Sequence, residues 1–329
     1  MEVRFYINED VRGRPKIKAD LDKLEVRYEY IERPSLHGHE SWKWIRFNVS
    51  EKDSLWPAIQ EVLNKHSVRI GRRMNYAKRD IQTAEWLRFR SDSQSLGYPK
   101  NQHTTYHQES VCPRCGICEQ IAPFRLSSEP KTNTKHFFGI GWSHEEVFAR
   151  LEVQNIFESL GITGIEYLRP LKHRTSQPFE TITQLKVNTV LPAALFTEEC
   201  EAVTCCEDNE EGQNKPVNRL KPLMSVNQLC EKIESGEVSP FEYDPGDVNW
   251  SGIPPDYPCC GRVKYHVIYK HQAKFSREAF TGAPDFVKTN EWFGTWHHAG
   301  RETLISQRVA RVILENKWRG VRLEPVALI

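Results

Sequence analysis

Two stretches of this chain repeat each other 156 positions apart, and no other feature limits its fold as much. VFARLEVQNIFESLGITGIEYLRPL at 147–171 is echoed by TLISQRVARVILENKWRGVRLEPVA at 303–327. Phe148 falls opposite Leu304, Val153 opposite Val309, Ile156 opposite Val312 and Phe157 opposite Ile313. Apolar residues spaced three and four apart mark one stripe of a helix. Gly164 and Gly320 suit a break after each helix. Ile165 with Tyr167, like Val321 with Leu323, then suits a short strand closed by Pro170 or Pro325. A second echo, KTNTKHFFG at 131–139 against KTNEWFG at 288–294, extends the match upstream. The expectation is a pseudo-duplicated α+β domain over 101–329, with halves at about 105–196 and 216–329.

Residues 1–100 read as a separate N-terminal α+β module. VRFYI (3–7), LEVRYEYI (24–31) and WKWIRFNV (42–49) carry the aromatic and β-branched residues of half-buried strands. Ser54 is placed to cap a helix through LWPAIQEVLNKH, with Pro57 in its first turn. AKRDIQTAEWLRFR (77–90) reads as a second helix and SDSQSLGYPKNQ (91–102) as the linker that follows. Between the two halves of the later domain, the segment 197–215 holds seven acids, and no Lys or Arg occurs between Lys186 and Lys215. That is the pattern of a solvated acidic loop.

Charge and thiol content narrow the function. Lys and Arg total 45 against 44 Asp and Glu, so no net field steers the molecule toward nucleic acid or a membrane. MEVRFYINEDVRGR puts acids and arginines where a signal peptide needs an apolar run, and no stretch approaches the 18 apolar residues of a membrane span. A soluble cytoplasmic protein is expected. Nine cysteines without a secretion signal favour metal ligands and thiols over a disulfide framework.

SVCPRCGICEQ at 110–120 spaces Cys112, Cys115 and Cys118 three apart. In the second half DYPCCGR at 256–262 holds the corresponding place, with Cys259, Cys260 and Gly261. A C-x-x-C knuckle offers two thiolates on one tight turn, and two knuckles make the four ligands of a tetrahedral structural zinc site. Tyr257 stands where the second knuckle's first cysteine would be. The expected ligands of a structural Zn2+ are therefore Cys112, Cys115 and Cys260, with Cys259 or Cys118 as the fourth.

Other chemistries fit these residues less well. A redox C-x-x-C wants its first cysteine at a helix N-terminus, whereas Cys118 and the flanking turn residues favour a knuckle. His107 and Glu109 imitate a deaminase H-x-E, but only two residues separate Glu109 from Cys112, and the two parts of that site belong on different helices. His103 and His107, among Gln and Thr, read as exposed, and His297 and His298 as surface or interface residues. Cys200, Cys205 and Cys206 read as thiols of the acidic loop. No G-x-S-x-G, H-E-x-x-H or P-loop is spelled out, so a non-catalytic protein is expected. The alternative is a zinc-ribbon nucleic-acid-binding or regulatory protein. KHSVRIGRRMNYAKR at 65–79 holds six Lys or Arg and no acid, with Tyr76 available to stack on a base.

CPRCG and the later CCGR, each followed by an apolar segment and a unit closing in Gly-apolar-x-apolar…Pro, resemble the double-CXXCG motif family. These are bacterial paralogues, some of them assigned as immunity proteins against cognate toxins. CCGRVKY, GAPDFV (282–287), LISQRVA (304–310) and GVRLEPV (320–326) follow that family's order, and the resemblance covers roughly residues 105–329. Tyr257 and the acidic loop depart from its pattern. The resemblance implies a zinc-stabilised binding protein that neutralises a cognate toxin by direct contact. Trp292 and Trp296, set among glycines and polar residues, are expected to border the partner surface, with Trp318, which reads at least as well as a core ring, and Arg301, Arg319 and Arg322 nearby as further anchors.

Overall fold

A computed structural model describes residues 2–8, 17–33, 42–50, 53–65, 71–91, 99–100, 105–106, 119–140, 146–198, 200, 202–204, 224–225, 235, 248–249, 260–265, 272–294 and 300–329. The fold is α+β. The first sheet takes β1 (Glu2–Asn8), β2 (Glu29–Arg33), β3 (Trp42–Ser50) and β4 (Gly71–Asn75) in the order β2-β3-β1-β4, all antiparallel. Helices α1 (Ile17–Lys23) and α2 (Trp56–Lys65) share its core. Ile17 and Leu21 lie one turn apart, Trp56, Ile59 and Leu63 follow three-four spacing, and Ile45, Phe47 and Val49 alternate along β3. Helix α2 begins one residue later than expected. Asp53 rather than Ser54 collects the first amides, its Oδ1 accepting the Leu55 N–H at 2.9 Å and its carbonyl the Trp56 N–H at 3.0 Å.

The helix expected over 77–90 is shorter. Helix α3 spans Lys78–Thr83 and stops at Ala84, which is extended (φ −67°, ψ 136°). The chain then runs into β5 (Trp86–Ser91). Leu87 and Phe89 are buried on one face of this strand while Arg88 and Arg90 take the other, a period of two that the helix reading passes over.

The next unit comprises β6 (Phe137–Phe138), β7 (Val147–Arg150), α4 (Leu151–Ser159), β8 (Ile165–Leu168) and β9 (Ile182–Val187). Its sheet order is β8-β9-β7-β6. The last unit comprises β10 (Ala202–Thr204), β11 (Val263–Tyr265), β12 (Phe286–Phe293), β13 (Gly300–Ser306), α5 (Gln307–Glu315) and β14 (Val321–Pro325). Here the order is β10-β11-β12-β13-β5-β14. Strand β5 thus lies between β13 and the edge strand β14 of the C-terminal sheet, so the division expected at residue 100 falls behind a strand of the later domain. No helix among the described residues is long and apolar enough to cross a membrane.

The two units pair their strands in one register. Thr183, Gln184 and Leu185 of β9 face Ala149, Phe148 and Val147, as Leu87, Arg88 and Phe89 of β5 face Ile305, Leu304 and Thr303. Tyr167 faces Leu185 as Leu323 faces Phe89. Phe137 faces Ala149 as Phe286 faces Ile305. The offset of 156 therefore holds through strand, helix and strand. The KTN echo does not, because Lys131–Asn133 precede β6 in a turn while Lys288–Asn290 lie inside β12. The residues that correspond in space are Phe137 and Phe286. A short polar tripeptide carries too little packing information to set a register.

The helix ends match as well. Ile162 N–H donates to the Phe157 carbonyl at 2.9 Å and Trp318 N–H to the Ile313 carbonyl at 3.1 Å, each closing a Schellman turn around a left-handed residue, Gly161 (φ 60°) or Lys317 (φ 53°). Three residues on, each chain crosses the other unit. Phe286 N–H donates to the Thr163 carbonyl at 3.1 Å, and Phe137 N–H to the Arg319 carbonyl at 3.1 Å. At these crossings Gly164 (φ 89°) and Gly320 (φ 90°) leave no room for a β-carbon, which would collide with the Phe286 or Phe137 carbonyl oxygen.

The core between the crossings is built around five rings. Phe89 meets Phe137 at 5.2 Å, Phe137 meets Trp318 at 5.7 Å and Trp318 meets Phe157 at 5.4 Å. Phe157 then meets Phe286, and Phe286 meets Phe89, both at 5.8 Å. All five contacts are edge-on, and such pairs contribute about 0.5–1.5 kcal/mol each beyond their buried area. Replacing Gly164 or Gly320 with Ala is expected to destabilise the protein by about 3 kcal/mol or more, since backbone must move. Gly161→Ala, with a left-handed φ but open space around it, should cost only about 1 kcal/mol in the same chemical denaturation series.

Candidate functional site

Trp292 stands on β12 just past a bulge. The register of β12 against β13 shifts between Lys288 and Trp292, and Thr289 closes the gap. Its hydroxyl accepts the Glu302 N–H at 3.1 Å and donates to the Glu291 carbonyl at 2.9 Å. Glu291 points away from Trp292, its Oε1 accepting the Ala194 and Leu195 amides at 2.8 and 2.9 Å. Lys264 of β11 and Arg301 of β13 both pair with Trp292, so the three side chains stand in one row across three strands. The Arg301 guanidinium lies 4.7 Å from the indole centroid and that of Arg262 lies 5.4 Å away. The ring is half-buried, as are both arginines. Contacts of this kind are worth about 0.5–2 kcal/mol and hold the ring against the sheet. Arg262 was absent from the expected anchors, because only strand pairing brings it beside a residue thirty positions away.

A second cluster occupies the β5–β13–β14 part of the same sheet. Arg88 Nη1 donates to Glu324 Oε2 at 2.9 Å, and Arg88 Nε lies 3.7 Å from Glu302 Oε2. Arg90 grips Glu302 with two nitrogens, Nε donating at 3.1 Å and Nη2 to the other oxygen. Arg322 completes the group 2.6 Å from Glu324 Oε1. Arg88, Glu302 and Glu324 are 5%, 8% and 8% exposed, a burial that carboxylates tolerate only when paired. Burial alone pushes the Glu302 carboxyl up, but Arg90 and Arg88 outweigh it and hold the group below its ordinary range. Burial, with the Glu324 charge adding to it, pushes the Tyr76 phenol up to about 12. Tyr76 therefore lies half-buried beside this cluster, where the sequence suggests a ring offered for base stacking. Alternating charges at 88, 90, 302, 322 and 324 look like an ordinary solvated strand face in one dimension.

The corresponding place in the other sheet is milder. Gln184, which faces Phe148 as Arg88 faces Leu304, exchanges amide hydrogen bonds with Gln120 at 2.9 and 2.6 Å. Lys186 and Glu166 make a more exposed pair at 3.4 Å. The buried charges thus belong to the C-terminal sheet, where they share their sheet with Trp292.

Of the expected zinc ligands, Cys112, Cys115, Cys118 and Cys259 lie outside the described residues, as does Trp296. Cys260 is half-buried three residues before β11, and Gly261 after it adopts φ 61° with open space around its α-carbon. That left-handed glycine suits the turn a thiolate knuckle needs, so the local backbone fits a metal ligand at Cys260. Among the described residues no three His, Cys, Asp or Glu side chains gather to hold a metal. Arg322, one of the expected anchors, is committed to Glu324, and Arg319 lies in the turn beside His136. Comparison with protein families, with curated proteins and with solved structures finds no match for this chain.

Arg88→Met is expected to cost about 3 kcal/mol, because it leaves the buried Glu324 with Arg322 alone and Glu302 with Arg90 alone. Pairing it with Glu324→Gln should recover part of that loss. Removing the exposed Arg277 from its pair with Glu85 should leave stability essentially unchanged in the same assay.

Proposed function

We propose that this chain is a non-catalytic, zinc-stabilised binding protein, and that it neutralises a bacterial toxin by direct contact, as its resemblance to the double-CXXCG family implies. The observation that carries the binding role is Trp292, half-exposed and gripped by Arg262 and Arg301. A large ring fixed in one pose, with guanidiniums over it, is the composition of an interface anchor. The buried Arg–Glu cluster stiffens the sheet that presents it, and the surrounding cations favour an acidic partner surface.

Zinc in this reading is a cross-link between Cys112, Cys115, Cys260 and either Cys259 or Cys118, supplying folding free energy rather than chemistry. The protein works in the cytoplasm, where those thiols stay reduced. The two units descend from one duplicated ancestor, which accounts for their common register and paired glycine crossings.

Protein purified without chelators is expected to carry about one equivalent of zinc, and Cys112→Ser or Cys115→Ser to lose it and melt earlier. Metal at background level, or both variants melting like the parent, would overturn the zinc reading. For binding, Trp292→Ala should lower the melting temperature by only a few degrees while weakening capture of the partner by about 30-fold or more. Co-expression of the captured protein should arrest growth unless the parent chain is present. Equal capture by parent and variant removes Trp292 from the interface. A salt-sensitive shift of RNA or DNA with no protein captured would favour the basic segment 65–79 instead.

A further inference from the structure

The two crossings are closed by different chemistry. At one, Asp285 Oδ2 accepts the Thr163 N–H at 3.1 Å and its hydroxyl at 3.2 Å, while Oδ1 accepts the Ser306 hydroxyl at 2.7 Å and Arg308 stands 3.2 Å away. At the other, the corresponding residue is His136, whose Nδ1 accepts the Arg319 N–H at 3.1 Å. Both side chains stand immediately before the phenylalanine that crosses, and both accept the amide immediately before the crossing glycine. An ionised carboxylate is an acceptor only. An imidazole nitrogen accepts only while it lacks a proton.

We propose that His136 makes one crossing a pH-sensitive clasp, which opens on mild acidification while the Asp285 clasp stays shut. Protonation sets an N–H on Nδ1 facing the Arg319 N–H, two donors with no acceptor between them. The charged groups around the ring divide. Glu152 on α4 lies 3.4 Å from Nε2 and favours the proton; Arg150 at the end of β7 and Arg319 before β14 oppose it, and Lys135 precedes the ring in the chain. Trp318 lies beside the ring at 6.2 Å. Burial is the largest influence and, with the arginines, holds the ring below its ordinary value, so the folded protein favours the neutral acceptor. The sign follows. The unfolded chain binds the proton more readily, so the contribution is complete above about pH 6.5 and is lost as pH falls below that. What loosens is the start of β14, the strand that carries Arg322 and Glu324 into the buried cluster.

Hydrogen exchange of individual amides tests this on the intact chain. After correction for intrinsic rates, protection of the Arg319 amide should drop by about fivefold to tenfold between about pH 7.5 and pH 5.5, the equivalent of one lost hydrogen bond. Protection at Thr163 should stay constant. His136→Asp copies the other clasp and His136→Asn supplies an acceptor that does not titrate; either should abolish the drop at Arg319. Equal protection of Arg319 at the two pH values in the parent, or a drop that persists in the folded variants, overturns the proposal.

Discussion

A carbonyl oxygen resting where a side chain should begin is the constraint on which this architecture turns. At Gly164 and Gly320 the strand of one unit passes so close to the loop of the other that a methyl group has no place. Each helix must end on time, turn through a left-handed residue and deliver its glycine to the crossing. The five edge-on rings fill the space the crossings define, Phe137 and Phe157 coming from one unit and Phe89, Phe286 and Trp318 from the other. Close backbone approach sets the geometry, and burial of the rings supplies the driving force.

Much of this was legible in one dimension, for identifiable reasons. Val153 and Val309, or Phe157 and Ile313, announce a helix stripe because burial imposes its period on the letters. Gly164 and Gly320 announce themselves because nothing else fits. The misreadings are as instructive. Trp86–Ser91 looks like the end of a helix since its neighbours on either side, β13 and β14, lie more than two hundred residues further along. The KTN echo misled because identical letters can serve in a turn and in a strand. For the candidate site, Trp292 stood out in the sequence among glycines and polar residues but its neighbour Arg262 did not, and most of the cysteines fall outside the described residues. The buried charges at 88, 302 and 324 were invisible, because burial of a polar face depends on what covers it.

The two sheets also show how one register accommodates different polar solutions. Gln184 and Gln120 satisfy each other as neutral amides, at modest desolvation cost. Arg88 with Glu302 and Glu324 meets a similar geometric need with full charges, which are costly to bury and more costly to separate. Hydrophobic replacements would serve stability at least as well, so ionic pairing here is weak evidence of a tighter core.

The placement of β5 also bears on how the chain is made. As synthesis proceeds this strand leaves the ribosome with neither flank available, and roughly two hundred residues must follow before β13 appears, an interval of about 10–40 s at ordinary elongation rates. For that time both edges of a short segment carrying Trp86, Leu87 and Phe89 are open to other strands. Arg88 and Arg90, interleaved with those apolar residues, give the waiting segment a charge that disfavours self-association until the C-terminal strands arrive to enclose it.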